Sequence, residues 1–132
     1  MRASGRWHSR GHRIVYCTES PAAALLEILV HFEIDVRDLP ARHRLLKLRA
    51  PNDLGVEHVT TAELPSDWLE SADFTRATGD RWLEAGRSPL LRVPSAVVPE
   101  TFNVLLNPEH PQAARVAVVQ ATEHAGDPRL LQ

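Results

Sequence analysis

The chain has 132 residues, of which 43% are hydrophobic and 24% are charged, which predicts one globular domain over residues 1–132. Its apolar runs fall short of the roughly 20 residues of a membrane span, and no secretory signal pattern precedes them. A single cysteine and a net charge of −2 argue against a disulfide framework and against general nucleic-acid binding, and they favour a cytoplasmic protein.

The first half of the chain predicts a strand, a helix and two further strands. The sequence "RIVYC" at residues 13–17 is short and apolar, which indicates a buried strand. Ser20 and Pro21 suit the start of a helix whose apolar residues recur every three to four positions. The alternation in "HRLLKLRAP", residues 43–51, is typical of a half-exposed strand, and "VEHVT" predicts a short one.

The second half predicts a helical turn at "LPSDWLES" and a helix at "FTRATGDRWLEAGR". Gly79 weakens that helix and Gly86 ends it. The segment "PLLRVPSAVVP" is extended, "FNVLLNPEHP" ends in a turn at Asn107, and "ARVAVVQ" predicts a final strand. The last dozen residues are polar and are expected to fray. Short strands alternating with short helices favour an α+β domain.

Glu27 stands out because its neighbours on the first predicted helix are almost all apolar. A buried carboxylate without a partner costs several kcal/mol, or it stays neutral with a raised pKa. The ordinary alternative is that this face is exposed, as it is for most helical glutamates. From the helix pattern alone the two interpretations are about equally weighted.

Four other residues attract attention. Arg6 and Trp7 lie in a cationic, glycine-bounded segment, where a guanidinium can bind phosphate and an indole can stack; a mobile basic terminus is the common alternative. Tyr16 is the only tyrosine, and a phenol in an apolar strand needs a polar partner. Ser95 lies between two prolines, where most serines are turn residues.

Several catalytic signatures are absent from the sequence. It contains no GxSxG elbow, no GxxxxGK[ST] loop, no GxGxxG and no HExxH. Cys17 has no CxxC partner, and Gly11 disfavours a helix that would align His8 with His12. We therefore expect no metal and no nucleophile triad.

The chain resembles the RES-domain family, the toxins of bacterial toxin–antitoxin pairs that are named for Arg, Glu and Ser. The matching pieces are "GRWHSRGHRIVYCTESPAAALLEILVHFE", "LPSDWL", "TGDRWL" and "SPLLRVPSAVVPETFNVLLNPEHP", in family order over most of residues 5–111. The matched motif positions are Arg6, Tyr16, Glu27, Ser95 and Asn107. His8 departs from the asparagine usual in the family, and many members carry an extra strand before this motif.

The resemblance implies an ADP-ribosyltransferase-like fold, with small mixed or antiparallel sheets and flanking helices. It also implies that the protein consumes NAD⁺ as a substrate. Breaking the nicotinamide–ribose bond develops positive charge on the ribose, which a fixed carboxylate stabilises. The catalytic residues are then Glu27, Arg6 and Tyr16, and the NAD⁺-binding residues are Arg6, Trp7, Tyr16, Ser95 and Asn107. The acceptor of ADP-ribose is water, phosphate or a protein such as phosphoribosyl-pyrophosphate synthetase.

The resemblance also implies a small, helical, co-encoded antitoxin that covers the NAD⁺ pocket, and a homodimer is compatible with it. Two alternatives remain open on the sequence. The basic residues 2–13 with Trp7 could contact nucleic acid, which predicts strong salt dependence and no NAD⁺ turnover. A catalytically weak relative could act through its antitoxin alone.

Overall fold

The computed structural model describes residues 5–19, 42–98 and 100–125. The described strands are β1 (Val15–Thr18), β2 (Arg42–Arg49), β3 (Val56–His58), β4 (Leu90–Pro94), β5 (Phe102–Leu106) and β6 (Ala117–Ala125). The described α-helix is α1 (Asp73–Ala85), and short 3-10 helices lie at Thr61–Glu63 and Ala113–Arg115. The predicted α+β class and the predicted strands near residues 13–17 and 43–51 are confirmed.

Four of the strands form one sheet in the order β1-β5-β4-β3. β5 is antiparallel to both of its neighbours, whereas β3 runs parallel to β4. In this register Tyr16 is opposite Leu105, and Leu105 is opposite Leu91. β4 is buried at four of its five residues, which explains its nearly continuous apolar sequence.

Helix α1 turns one face towards the protein interior. Its buried residues are Thr75, Gly79 and Trp82, whose spacing of four and three residues is that of one helix face. The helix ends at Gly86, which adopts the left-handed conformation with φ 62° and donates its N–H to the carbonyl of Trp82. This end matches the predicted one, since glycine takes that conformation without steric penalty.

The hydrophobic core includes residues from α1, from the four-stranded sheet and from the segment before β1. Its buried members are Trp7, Ile14, Val59, Leu64, Trp82, Leu91, Val93 and Leu105. The segment before β1 is therefore anchored in the core, although the sequence also allowed a mobile basic terminus there. This anchoring fixes the position of Arg6, as described below.

The strands β2 and β6 pair with each other as an antiparallel ribbon, which has an irregularity between Lys47 and Leu48. The predicted final strand began at residue 114, but β6 begins three residues later because a 3-10 helix occupies residues 113–115. Pairing with β2 extends β6 to Ala125, so the first of the last dozen residues lie in a strand. The remaining polar residues lie outside the described part of the chain.

The predicted helix that starts at Ser20 also lies outside the described residues. In the ranges that the structure covers, no helix combines the length and the apolar character needed to cross a membrane.

Candidate active site

The candidate site is built around a tight turn at residues 5–8. Gly5 and His8 form an isolated β-bridge, in which the Gly5 N–H donates to the His8 carbonyl over 3.0 Å. Trp7 and His8 are 1% and 0% exposed, whereas Arg6 is only partly buried. The turn therefore buries the side chains on one side of Arg6 and leaves the guanidinium within reach of solvent.

Two side chains of helix α1 hold the main chain of this turn. The Thr75 hydroxyl donates to the carbonyl of Arg6 over 2.6 Å, and Nε of Arg76 donates to the carbonyl of Gly5 over 2.8 Å. Both carbonyls would otherwise be poorly solvated beside the core, where an unpaired polar group costs about 1–3 kcal/mol. The backbone on both sides of the Arg6 N–H is therefore fixed by side chains about 70 residues away in the sequence.

The turn approaches the helix so closely that Gly79 has no room for a side chain. A Cβ atom at this position would lie 1.6 Å from the carbonyl oxygen of Trp7. One residue further along the helix, Asp80 accepts the backbone N–H of Ser9 over 2.8 Å. Residues 5–9 therefore lie directly on the buried face of α1.

Tyr16 lies behind the turn, with its hydroxyl against the main chain. The hydroxyl accepts the backbone N–H of Trp7 over 3.0 Å and lies 2.7 Å from Nδ1 of His8. Burial raises the pKa of Tyr16 to about 12, an effect that the Trp7 N–H and the charges of Arg76 and Arg6 partly offset. The phenol therefore stays protonated at neutral pH and can act as a polar, uncharged group.

The Arg6 side chain is anchored at one point. Its Nη1 donates to the carbonyl of Trp68 over 3.0 Å, and Trp68 lies in the turn that the sequence predicted at "LPSDWLES". A guanidinium has five N–H donors in a planar fork. Within the described residues no second hydrogen bond of Arg6 is found, so the rest of the fork is available to an anionic ligand.

Trp7 is a core residue. Its ring is 1% exposed and tilts against the ring of Trp68 at a centroid distance of 6.4 Å. A ring buried to this degree presents no face for stacking, which corrects the expectation that Trp7 stacks on NAD⁺ or on a nucleic-acid base. Its contribution to the site is the backbone N–H that Tyr16 accepts. The nucleic-acid alternative loses its only aromatic contact in this segment.

Ser95 lies just beyond the end of β4 and is 8% exposed. Its hydroxyl accepts the backbone N–H groups of Val97 and Val98 over 3.1 and 3.0 Å. Leu91 is level with Tyr16 in the sheet, so Ser95 lies about 13 Å further along the strand direction. The structure does not bring Ser95 into contact with the Arg6–Tyr16 pair.

Asn107 lies directly after β5, at the other end of the sheet. Its Nδ2 donates to the carbonyl of Leu83 over 3.4 Å, its Oδ1 accepts the N–H of Glu109 over 3.1 Å, and its backbone N–H donates to Pro89. These bonds connect α1, the residue before β4 and the turn after β5. The geometry gives Asn107 a structural role, and contact with a ligand stays a prediction.

Comparison with known proteins identifies the family. A family model described as the RES domain matches residues 1–127. The chain belongs to the RES domain family. Toxin Res of Pseudomonas putida is 43% identical over 133 residues, covering 98% of this chain and 88% of that protein. The Prs ADP-ribosylating toxin of a Sphingobium species is 35% identical over 132 residues, covering 97% and 81%.

A solved structure shows the same fold. The chain aligns to one from the crystal structure of the M. tuberculosis MbcT-MbcA toxin-antitoxin complex with a TM-score of 0.77, covering 98% of this chain and 75% of that one. At 17% sequence identity this likeness concerns the fold alone. The resemblance to the RES family and the fold class expected from it are confirmed.

Glu27, the carboxylate expected in a RES domain, lies outside the described residues, and so its position relative to Arg6 and Tyr16 stays a prediction. In the described ranges, no group of three or more His, Cys, Asp or Glu side chains is arranged to hold a metal ion. Burial also raises the pKa of the Cys17 thiol, which makes this cysteine a weak nucleophile at neutral pH.

The residues of α1 that support the turn at residues 5–8 are not among the predicted site residues. The piece "TGDRWL" matches the family, but the helix pattern indicates its glycine only as a weak point of the helix. The face of α1 that contacts residues 5–9 carries Thr75, Gly79 and Asp80. A buried glycine inside an otherwise regular helix is the signal that could have indicated this close approach.

Proposed function

We propose that this RES domain is the toxin of a bacterial toxin–antitoxin pair, and that it acts in the cytoplasm by breaking the nicotinamide–ribose bond of NAD⁺. Two relatives support this: one is named Toxin Res and the other is named as a Prs ADP-ribosylating toxin. NAD⁺ is the donor of ADP-ribose that such an activity consumes. No metal is needed in this proposal, because the reaction develops charge that protein side chains can stabilise.

The observation that carries the proposal is the anchored Arg6 side chain, on a turn whose next residue, Trp7, donates its backbone N–H to the Tyr16 hydroxyl. Arg6 is anchored through one donor to Trp68 and through its carbonyl to Thr75. Trp7 follows Arg6 directly and is bonded to the Tyr16 hydroxyl, so the two motif residues belong to one hydrogen-bonded unit. A guanidinium held in this way matches the planar oxygen pairs of a pyrophosphate, and its position is set before the ligand arrives.

We assign the remaining roles from the family motif. Arg6 holds the pyrophosphate or the adjacent ribose, and the ring of Tyr16 contacts the nicotinamide. Glu27 stabilises the positive charge that grows on the ribose as the bond breaks. For Ser95 the motif implies a contact with NAD⁺, which its hydroxyl or the turn that this hydroxyl closes supplies. We infer that the acceptor is a protein, in keeping with the name of the Sphingobium relative.

We infer that the physiological partner is a co-encoded antitoxin that covers this site. The solved relative in fold comes from a toxin–antitoxin complex, which supports a partner of this class. A protein that depletes NAD⁺ must be restrained in its own host. In the complex, the surface around Arg6 should be protected from hydrogen exchange relative to the free chain.

The decisive experiment is to incubate the purified protein with NAD⁺ and to measure nicotinamide release alone, with added phosphate and with cell lysate. Release should occur in at least one condition, and labelled ADP-ribose should become attached to a lysate protein. Release with phosphate alone would assign a phosphorolytic reaction. No release under any condition would overturn the proposal.

Arg6→Ala should lower nicotinamide release by about a hundredfold or more, because a preorganised charge is removed from the site. Arg6→Lys should also be slow, since an ammonium cannot reproduce the planar fork. The matched control is Arg10→Ala, because Arg10 is exposed in the same segment. Near-normal release by Arg6→Ala would remove this residue from the site.

The role of Glu27 is tested in the same assay with Glu27→Gln, which keeps the size of the side chain and removes its charge. NAD⁺ should still bind, while nicotinamide release falls by about a hundredfold. Release at the normal rate would contradict the proposed stabilisation of charge by Glu27.

A further inference from the structure

We propose that His8 is a positioning residue for the active site, which fixes the Tyr16 hydroxyl by accepting a hydrogen bond from it at Nδ1. The inference rests on the proposed role of Tyr16 in NAD⁺ turnover and extends it to a residue with no assigned function. His8 is 0% exposed, and its Nδ1 lies 2.7 Å from the Tyr16 hydroxyl oxygen.

The direction of the hydrogen bond follows from the inventory of donors and acceptors at the hydroxyl. The oxygen already accepts the backbone N–H of Trp7 over 3.0 Å. The phenol remains protonated at neutral pH, since burial raises the pKa of Tyr16 to about 12. An O–H enclosed by the main chain of the turn needs an acceptor, and in the described part of the chain Nδ1 of His8 is the acceptor within reach. The Nδ1 atom must then be unprotonated.

The pair is closely enclosed. A Cβ atom added to Gly5 would lie 2.7 Å from the Tyr16 hydroxyl and 2.9 Å from Nδ1 of His8. The rings of His8 and Tyr16 are 5.5 Å apart and tilted by 49°. The hydroxyl and the imidazole therefore have little freedom to exchange partners, and a side chain at Gly5 would separate them.

The hydrogen bond between His8 and Tyr16 connects the turn that carries Arg6 to Tyr16 on β1. Trp7 and His8 follow Arg6 directly, and both bond to one hydroxyl on β1. The orientation of the Tyr16 ring is therefore linked to the path of the turn that carries Arg6. Displacing a substrate-positioning group by about 1 Å can slow an enzyme by up to a hundredfold, so loss of this bond should lower turnover without removing any group that touches the substrate.

Three substitutions of His8 distinguish a role as hydrogen-bond acceptor from a role in packing alone. In His8→Asn, the amide Oδ1 is as many bonds from the backbone as Nδ1 and can accept a hydrogen bond from the phenol. In His8→Gln the amide lies one bond further out, and His8→Leu fills the space without any acceptor. Nicotinamide release should stay within about threefold of wild type for His8→Asn and fall about tenfold or more for the other two.

A role in packing alone predicts the opposite order, because asparagine is the smallest of the three replacements. Release by His8→Leu that equals or exceeds release by His8→Asn would therefore overturn the proposal. His58→Leu is the control for loss of a histidine, since His58 is exposed on β3. It should leave nicotinamide release unchanged.

A second measurement needs no activity. Tyr16 is the only tyrosine, so labelled tyrosine gives one hydroxyl signal in nuclear magnetic resonance spectra. In the wild-type protein this proton should exchange slowly with water, and nitrogen spectra should show His8 as a neutral imidazole with its proton on Nε2. The hydroxyl signal should persist in His8→Asn and disappear in His8→Leu.

The spectra test the positioning role of His8, and the nicotinamide assay tests the proposed function, so each proposal can be overturned without the other. A proton on Nδ1 of His8 in the wild-type spectra would overturn the positioning role, whatever the activity. Absence of NAD⁺ turnover together with a slowly exchanging hydroxyl and an unprotonated Nδ1 would instead refute the proposed function and leave the hydrogen bond established. If the leucine and glutamine variants do not fold, the wild-type spectra still decide the direction of the bond.

Discussion

The inner strands β4 and β5 of the four-stranded sheet bury their apolar side chains far more than the β2–β6 ribbon does at the ribbon side chains that the structure describes. In the sheet, Val93 and Leu105 are both 0% exposed, whereas in the ribbon Leu46 and Val118 are 57% and 56% exposed. Both are regular antiparallel pairings over part of their length. Regular pairing is therefore not what distinguishes them.

The difference lies in what contacts each sheet from outside. The four-stranded sheet supports the turn at residues 5–8, whose two carbonyls are bonded by Thr75 and Arg76 of α1. A group that must hold a charged ligand benefits from such a rigid frame, because its orientation is fixed before binding. Substitutions in this frame should therefore change both stability and turnover, whereas substitutions on the exposed face of the ribbon should change neither.

The largest effect is expected for Gly79→Ala, which removes the close approach between the turn and α1. The new Cβ atom would lie 1.6 Å from the Trp7 carbonyl oxygen, so either the turn or the helix must move. We expect the free energy of unfolding to fall by about 3 kcal/mol or more, although alanine is the better helix former. Urea denaturation measures the change, and nicotinamide release should fall with it.

Gly55→Ala is the matched control for this substitution. A Cβ atom there would meet Ser88 at 3.6 Å, which is an ordinary van der Waals contact. Its unfolding free energy should change by less than about 1 kcal/mol. Equal stability of the two variants would mean that the turn does not lie on α1 in solution, and the frame proposed for Arg6 would be lost.

Gly79 also shows what sequence patterns could and could not predict. The helix, its end at Gly86 and the strands around it follow from periodicity and turn residues, which are local properties. The approach of the Trp7 carbonyl to Gly79 joins residues 72 positions apart, and no local pattern encodes that. From local patterns Gly79 is only a defect of the helix, whereas in the structure its missing side chain allows the helix to contact the turn.

The candidate site also has features that the sequence could predict and features that it could not. Arg6 and Tyr16 could be predicted from the family motif, and the structure brings them together through the Trp7 N–H. The burial of Trp7 could not be predicted, because an indole in a basic, glycine-bounded segment suits a ligand contact as well as a core. Arg76 was missed because a helical arginine is usually exposed, and only the fold brings it to the Gly5 carbonyl.

A second effect, of intermediate size, concerns the pH dependence of stability. The pKa of Tyr16 is raised from 10.0 to about 12 in the folded protein, so between these values the unfolded chain releases the phenolic proton and the folded chain keeps it. The contribution of Tyr16 is fully present below pH 10 and is lost as the pH rises towards 12. Each pKa unit corresponds to about 1.4 kcal/mol.

The measurement compares wild type with Tyr16→Phe, so that other groups that titrate at high pH cancel in the difference. The unfolding free energy of wild type relative to the variant should be constant from pH 7 to pH 9. It should then fall by about 2 kcal/mol up to pH 12. A difference that stays constant to pH 12 would show that the phenol is solvated, and that the turn does not enclose it.

The smallest effect is expected on the ribbon, where Leu46→Ala is paired with Leu105→Ala in the four-stranded sheet. Leu46 is 57% exposed and Leu105 is 0% exposed, so the same chemical change removes very different amounts of buried surface. Leu105→Ala should lower the free energy of unfolding by about 2–5 kcal/mol. Leu46→Ala should lower it by less than about 1 kcal/mol and leave nicotinamide release unchanged. If Leu46→Ala lowers the free energy of unfolding as much as Leu105→Ala does, the exposed face of the ribbon is covered in solution. The contrast in burial between the two sheets would then not hold.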